Sequence, residues 1–81
     1  MQIMTEQTTL RRIRKELDPF VSQEDMARDS RVTLNTYRNA ETGRNTSYST
    51  AQSILSALNG YLRKAGRSEI ARVEDLGLSI V

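Results

Sequence analysis

Asn35, Thr36, Arg38 and Asn39 crowd into one short stretch of this chain, QEDMARDSRVTLNTYRNAETG at residues 23–43. Their chemistry is directional hydrogen bonding. An asparagine amide can bond two atoms of an adenine edge at once, and an arginine fork can do the same with guanine. Leu34 and the methyl groups of Thr33 and Thr36 add apolar contact suited to thymine methyls. Short, mostly uncharged polar side chains on one face are what reading base edges requires.

Those residues need a helix that turns them outward. Thr33 can cap such a helix over residues 33–41, with Tyr37 and Ala40 inward. Gly43 stands just past its end, where a left-handed backbone costs glycine little. The outward positions are then Thr33, Leu34, Asn35, Thr36, Arg38 and Asn39. This is not an ordinary solvated face. It lacks a Glu/Lys mixture, and Thr33, Asn35 and Thr36 are poor helix formers, of which capping explains only Thr33. The preceding helix starts at Ser22, with Asp25 as a short capping box and Val21 and Met26 placed for a hydrophobic staple. Residues 30–32 form the turn between the two.

The rest of the chain supplies a frame. Residues 1–8 are polar and read as a flexible N-terminus. Thr9 can cap a first helix carrying Leu10, Ile13 and Leu17 inward, and Asp18-Pro19 ends it. Residues 44–47 are a polar loop. Ser49 or Thr50 opens a fourth helix with Ala51, Ile54, Leu55, Leu58, Tyr61, Leu62 and Ala65 on one stripe. The stripe keeps its period through Asn59-Gly60, which predicts one helix ending near Gly66; two helices broken at Gly60 is the alternative. Leu78 and Ile80 alternate with Gly77 and Ser79, which suits a short extended segment. The expected fold class is all-α, a small helical bundle over residues 9–66 with a C-terminal extension over 67–81.

Composition narrows the function. Eighty-one residues make one domain with a small core. With no cysteine there is no disulfide or thiolate; with no histidine the commonest general base and metal ligand are missing. No carboxylate pair has a spacing suited to acid–base work, and no phosphate-binding or metal-binding motif is present. The expectation is no enzyme, no catalytic residue, no metal, no cofactor and no small-molecule ligand. No apolar run approaches membrane length and no signal peptide is evident, so a cytoplasmic, nucleoid-associated location without membrane contact is expected. Between residues 9 and 67, eleven basic side chains face six acidic ones, while residues 68–81 carry one basic and three acidic. The basic part can face a polyanion and leave the tail for something else.

Residues 10–58 resemble the helix-turn-helix domain of phage repressors, Cro proteins and the xenobiotic-response-element (Xre) regulators. Gln23 matches the glutamine opening that family's second helix, Met26-Ala27 its apolar residue and alanine, and Val32-Thr33 its valine and hydroxyl cap. Tyr37, Ala40, Glu41 and Gly43 match its two inward residues, glutamate and terminal glycine, and Ile13-Arg14 its leucine–arginine pair. Two positions depart from the pattern. Ala40 is smaller than usual, and Arg31 stands where the turn usually has glycine. A left-handed Arg31 would cost about 1 kcal/mol, unless the turn itself differs.

The resemblance implies a lambda-repressor-like fold and a role for each matching residue. Leu34, Asn35, Thr36, Arg38 and Asn39 would read bases of double-stranded DNA. Gln23, Thr33, Arg44, Asn45 and Thr46 would contact phosphates. Arg14 and Glu41 would form an internal ion pair. The implied function is a transcriptional regulator, a dimeric repressor on a palindromic operator. The dimer interface would use Tyr61, Leu62, Ile70, Val73, Leu76, Leu78, Ile80 and Val81, with residues 78–81 of two copies pairing antiparallel; the alternative is that these residues close the chain's own core. Deleting residues 77–81 would then leave a folded monomer. Two rivals stand beside this: an antitoxin whose tail grips a toxin, and a protein-interaction adaptor that does not bind DNA.

Overall fold

Among the described residues the chain enters an α-helix four times, and each time a serine or threonine hydroxyl accepts the amide three residues on. Thr8 caps α1 (Thr9–Glu16), Ser22 caps α2 (Gln23–Ser30), Thr33 caps α3 (Leu34–Glu41) and Ser47 caps α4 (Tyr48–Lys64). Each hydroxyl satisfies an amide the helix cannot, worth about 1 kcal/mol per cap. The structure, a computed structural model, describes residues 8–81. Two expected starts move by a few residues. Thr8, not Thr9, caps α1, and Ser47, not Ser49 or Thr50, caps α4. The N-terminus expected to be flexible lies, apart from Thr8, outside the described residues. At Ser22 the capping box is complete, because the Asp25 carboxylate also accepts the Ser22 amide.

The described residues make a small, mostly helical domain with a two-stranded parallel sheet. Leu10, Met26, Tyr37, Ala40, Ile54, Leu58 and Leu76 are fully buried at its centre. The helix α4 runs unbroken through Asn59-Gly60, as its apolar stripe predicts. Asn59 is placed there for a purpose the stripe does not reveal. Its amide donates to the Ile70 carbonyl at 2.9 Å and accepts the Ile70 N–H at 2.8 Å, holding the returning chain against the helix.

That return corrects the expected role of the C-terminal residues. A 3-10 turn, Val73–Leu76, puts Val73 and Leu76 into the core, and Leu62 is buried with them. These three residues belong to the chain's own interior and present no surface for a dimer. Gly77 then turns with φ +72°, so close to α1 that a β-carbon there would lie 3.2 Å from the Thr9 nitrogen. The last strand, β2 (Ser79–Ile80), pairs with β1 (Asn45–Thr46) of the same chain, in parallel, Asn45 opposite Ser79 and Thr46 opposite Ile80. A parallel pair needs a long crossover, and α4 with the 3-10 turn provides it. The expected antiparallel pairing between copies used these same residues. In the structure β2 has an intramolecular partner, so residues 77–81 close the fold, and their deletion would weaken it.

Candidate nucleic-acid interface

Glu41 holds α3 in place from beneath. Its carboxylate accepts from Arg14 Nε at 2.6 Å, Arg14 Nη2 at 3.1 Å, the Tyr37 hydroxyl at 2.7 Å and Gln23 Nε2 at 2.8 Å. A carboxylate offers about four acceptor sites, so this one is saturated. Burial alone would raise its pKa, but the donors from Arg14, Tyr37 and Gln23 together outweigh burial and hold it below the usual carboxylate range. Tyr37 shifts the opposite way. Burial, then the neighbouring carboxylate, push its phenol far above the ordinary value, so it stays a donor. Burial opposes the Arg14 charge, but Glu41 more than compensates and raises its pKa. The third guanidinium nitrogen of Arg14, Nη1, donates to the Val21 carbonyl at 2.9 Å. Arg14 and Glu41, matched by resemblance to a structural pair, are thus joined inside the protein and tie α1 and the start of α2 to α3.

The opposite side of α3 faces out. Asn35 and Arg38 are exposed, and Thr36 and Asn39 are half-buried. Leu34 is also half-buried and packs on the core, so its apolar surface is shared between the interior and the outside. The Thr33 hydroxyl accepts the Thr36 amide and donates to the Thr36 hydroxyl at 2.9 Å. Of the residues matched to phosphate contacts, Thr33, Arg44 and Asn45 are exposed, whereas Thr46 is buried. The Thr46 hydroxyl donates to the Arg44 carbonyl, and its backbone lies in the sheet. Its side chain is therefore not available to a phosphate, which removes it from the candidate contacts. Gln23 is half-buried with both ends of its amide engaged, by Glu41 on one side and by Arg38 Nε at 3.2 Å on the other. The bridge has no local signal in the sequence: Arg38 and Glu41, three apart on one helix, would suggest a direct pair, and Gln23 lies 15 residues from Arg38.

Three exposed guanidinium groups, Arg31, Arg38 and Arg44, stand in or beside the α2–α3 unit with no ion pair among the described residues. Of the three acids of α2, Asp25 and Asp29 share the Arg28 cation, while Glu24 is exposed with no ion pair among the described residues. The turn between the helices has the left-handed residue that the sequence made an open question: Arg31 has φ +61° and ψ +39°. Away from α3, Tyr61 donates to Asp29 beside an open depression of about 360 Å³ between α2 and α4. Burial, then Asp29, push the Tyr61 phenol up to about 12. Among the described residues no group of three acids could hold a metal ion, and no helix is long and apolar enough to cross a membrane. Comparison with protein-family models, with curated proteins and with solved structures gave no match.

Proposed function

We propose that this chain is a sequence-specific double-stranded-DNA-binding regulator of transcription. In this reading α2, the Arg31 turn and α3 form a helix-turn-helix of the phage-repressor and Xre kind, and α3 enters the major groove. One observation carries it: α3 is locked on one side by Tyr37, Ala40 and the saturated Glu41, and presents Asn35, Arg38 and, in part, Asn39 on the other. A rigid helix with amide and guanidinium groups outward is suited to base edges. The unpaired cations Arg31 and Arg44 are suited to the backbone on either side.

Repression would follow from occupancy of the operator. A two-fold pair of chains would read two half-sites about one helical turn apart. The candidates left for that contact are Tyr61, Ile70, Leu78, Ile80 and Val81, since Leu62, Val73 and Leu76 are interior. Val81 is the most exposed of them.

Selection of bound duplexes from random DNA tests the reading. A defined motif is expected, and a symmetric one would support the dimer. Affinity should fall linearly in a log–log plot against salt. Alanine at Asn35 or Asn39 should relax specificity at one position by about 1–3 kcal/mol for each lost bidentate contact. Alanine at Arg44 should weaken all sequences alike. Absence of any salt-dependent DNA affinity would leave the adaptor reading in its place.

A further inference from the structure

The resemblance would put Gln23 on a phosphate. We propose instead that Gln23 is a positioning residue, and that it sets base specificity through Arg38. The proposal rests on the DNA-binding reading and deepens it.

The orientation of the Gln23 amide follows from its neighbours. A carboxylate can only accept, so the NH2 end faces Glu41, at 2.8 Å from Oε1. A guanidinium can only donate, so the carbonyl end faces Arg38, at 3.2 Å from Nε. Turning the amide over would set a donor against a donor and an acceptor against an acceptor. The far side of Glu41 is fixed by Arg14 and Tyr37. A chain of hydrogen bonds thus runs from the core, through Gln23, to an exposed side chain on the reading face.

That chain decides which part of Arg38 is free. Its Nε is committed to Gln23, while Nη1 and Nη2 make no hydrogen bond or ion pair among the described residues. The two terminal nitrogens form a flat donor pair with the spacing of the O6 and N7 acceptors on a guanine edge. An unrestrained arginine loses much rotamer freedom when it docks; one held at Nε has already lost part of it. Gln23 therefore favours one pose of the fork, and the pose selects the base.

The test compares Gln23→Met, Arg38→Ala and the double variant by sequence selection and by affinity on the selected duplex, with thermal unfolding to confirm folding. Arg38→Ala should lower the preference for one guanine roughly tenfold. Gln23→Met should lower preference at that same position, and the double variant should be no worse than Arg38→Ala. A uniform loss over all sequences, additive with Arg38→Ala, is the signature of a phosphate contact and overturns the proposal. A second measurement needs no variant and no DNA. In the free wild-type protein, 15N relaxation should show the Arg38 Nε–H group more ordered than that of exposed Arg44; equal mobility overturns the proposal. Wild-type protein that selects no sequence would sink the DNA reading and this inference together. Wild-type protein that selects a sequence while Gln23→Met keeps its guanine preference would sink this inference alone.

Discussion

Helix α2 and the 3-10 turn at residues 73–76 both pack on α4, yet they are fixed by opposite means. The α2–α3 unit is pinned by a polar cluster: Arg14, Gln23 and Tyr37 converge on one buried carboxylate. The returning chain has no such cluster. It is held by burial of Val73 and Leu76, the Asn59 clamp on Ile70 and a two-residue strand pair. Polar pinning is directional. It dictates how α3 is rotated, and so which side chains face out. Apolar closure tolerates small rearrangements and dictates only that the space is filled. The region proposed to read bases is the one where several direction-specific side-chain contacts converge on one buried carboxylate; the returning chain has a single amide clamp and a two-residue strand pair.

The largest expected effect breaks the polar side. Glu41→Leu strands the buried Arg14 charge and should cost about 3–5 kcal/mol, measured by urea unfolding. Arg14→Met with Glu41→Leu should recover much of that loss, because no buried charge is left alone. If the double variant is as unstable as the single one, the cost lies in shape and not in charge. Acid unfolding sharpens the point. Glu41 titrates in the folded protein below the usual carboxylate range, so its contribution is fully present above the unfolded carboxylate's pKa and fades as pH falls through the folded one. Stability of the wild type should drop through this window more steeply than that of the charge-free double variant.

On the apolar side, Leu76→Ala should cost about 3 kcal/mol, since the side chain is fully buried. Its effect on α3 should differ in kind. Side-chain amide resonances of Asn35 and Asn39 should stay near their wild-type positions in Leu76→Ala and move in Glu41→Leu. Equal movement in both would erase the distinction between the two regions. Gly77→Ala comes next, at about 2 kcal/mol. It adds left-handed strain of about 1–2 kcal/mol to a contact of 3.2 Å with the Thr9 nitrogen. Thermal unfolding measures it, and a neutral result would mean that the 3-10 turn can shift away from α1.

The same division explains what could be read from residues alone. Within α2 and α3 the signals are local: Ser22 with Asp25, Thr33 with Thr36, and Gly43 after α3 each define their structure within a few positions, and the structure follows them. The outward face of α3 was legible for that reason. The C-terminal residues carry no local signal of where they pair. Leu78 and Ile80 spell an extended segment, but its partner, Asn45–Thr46, lies on the far side of α4 in sequence. Leu62, Val73 and Leu76 look equally apolar whether they face the core or another chain, so only packing could sort them. The Gln23 bridge was hidden in another way, since a glutamine carries no mark of which two partners it will join.

The smallest effect lies at the turn itself, where three helices end alike with one exception. After α3 and α4, the residue following the capping residue (Thr42, Ala65) is glycine, Gly43 with φ +89° and Gly66 with φ +72°. In each case the next N–H reaches back five residues, Arg44 to Asn39 and Arg67 to Leu62. After α2 the same bond runs from Val32 to Ala27, but the left-handed residue is Arg31. Arg31→Gly relieves a strain of about 1–2 kcal/mol, offset in part by the added freedom of glycine in the unfolded chain. A net gain of about 0.5–1 kcal/mol should raise Tm by a few degrees. Arg31→Lys keeps both the strain and the charge, and should leave Tm unchanged. DNA binding separates the two consequences. If the exposed Arg31 cation faces the phosphate backbone, Arg31→Gly should bind all duplexes more weakly with a shallower salt slope, while Arg31→Lys keeps the slope. A more stable protein that binds less tightly would explain why a strained arginine occupies a turn that glycine fits better; a more stable protein with unchanged binding would leave that strain without a functional reason.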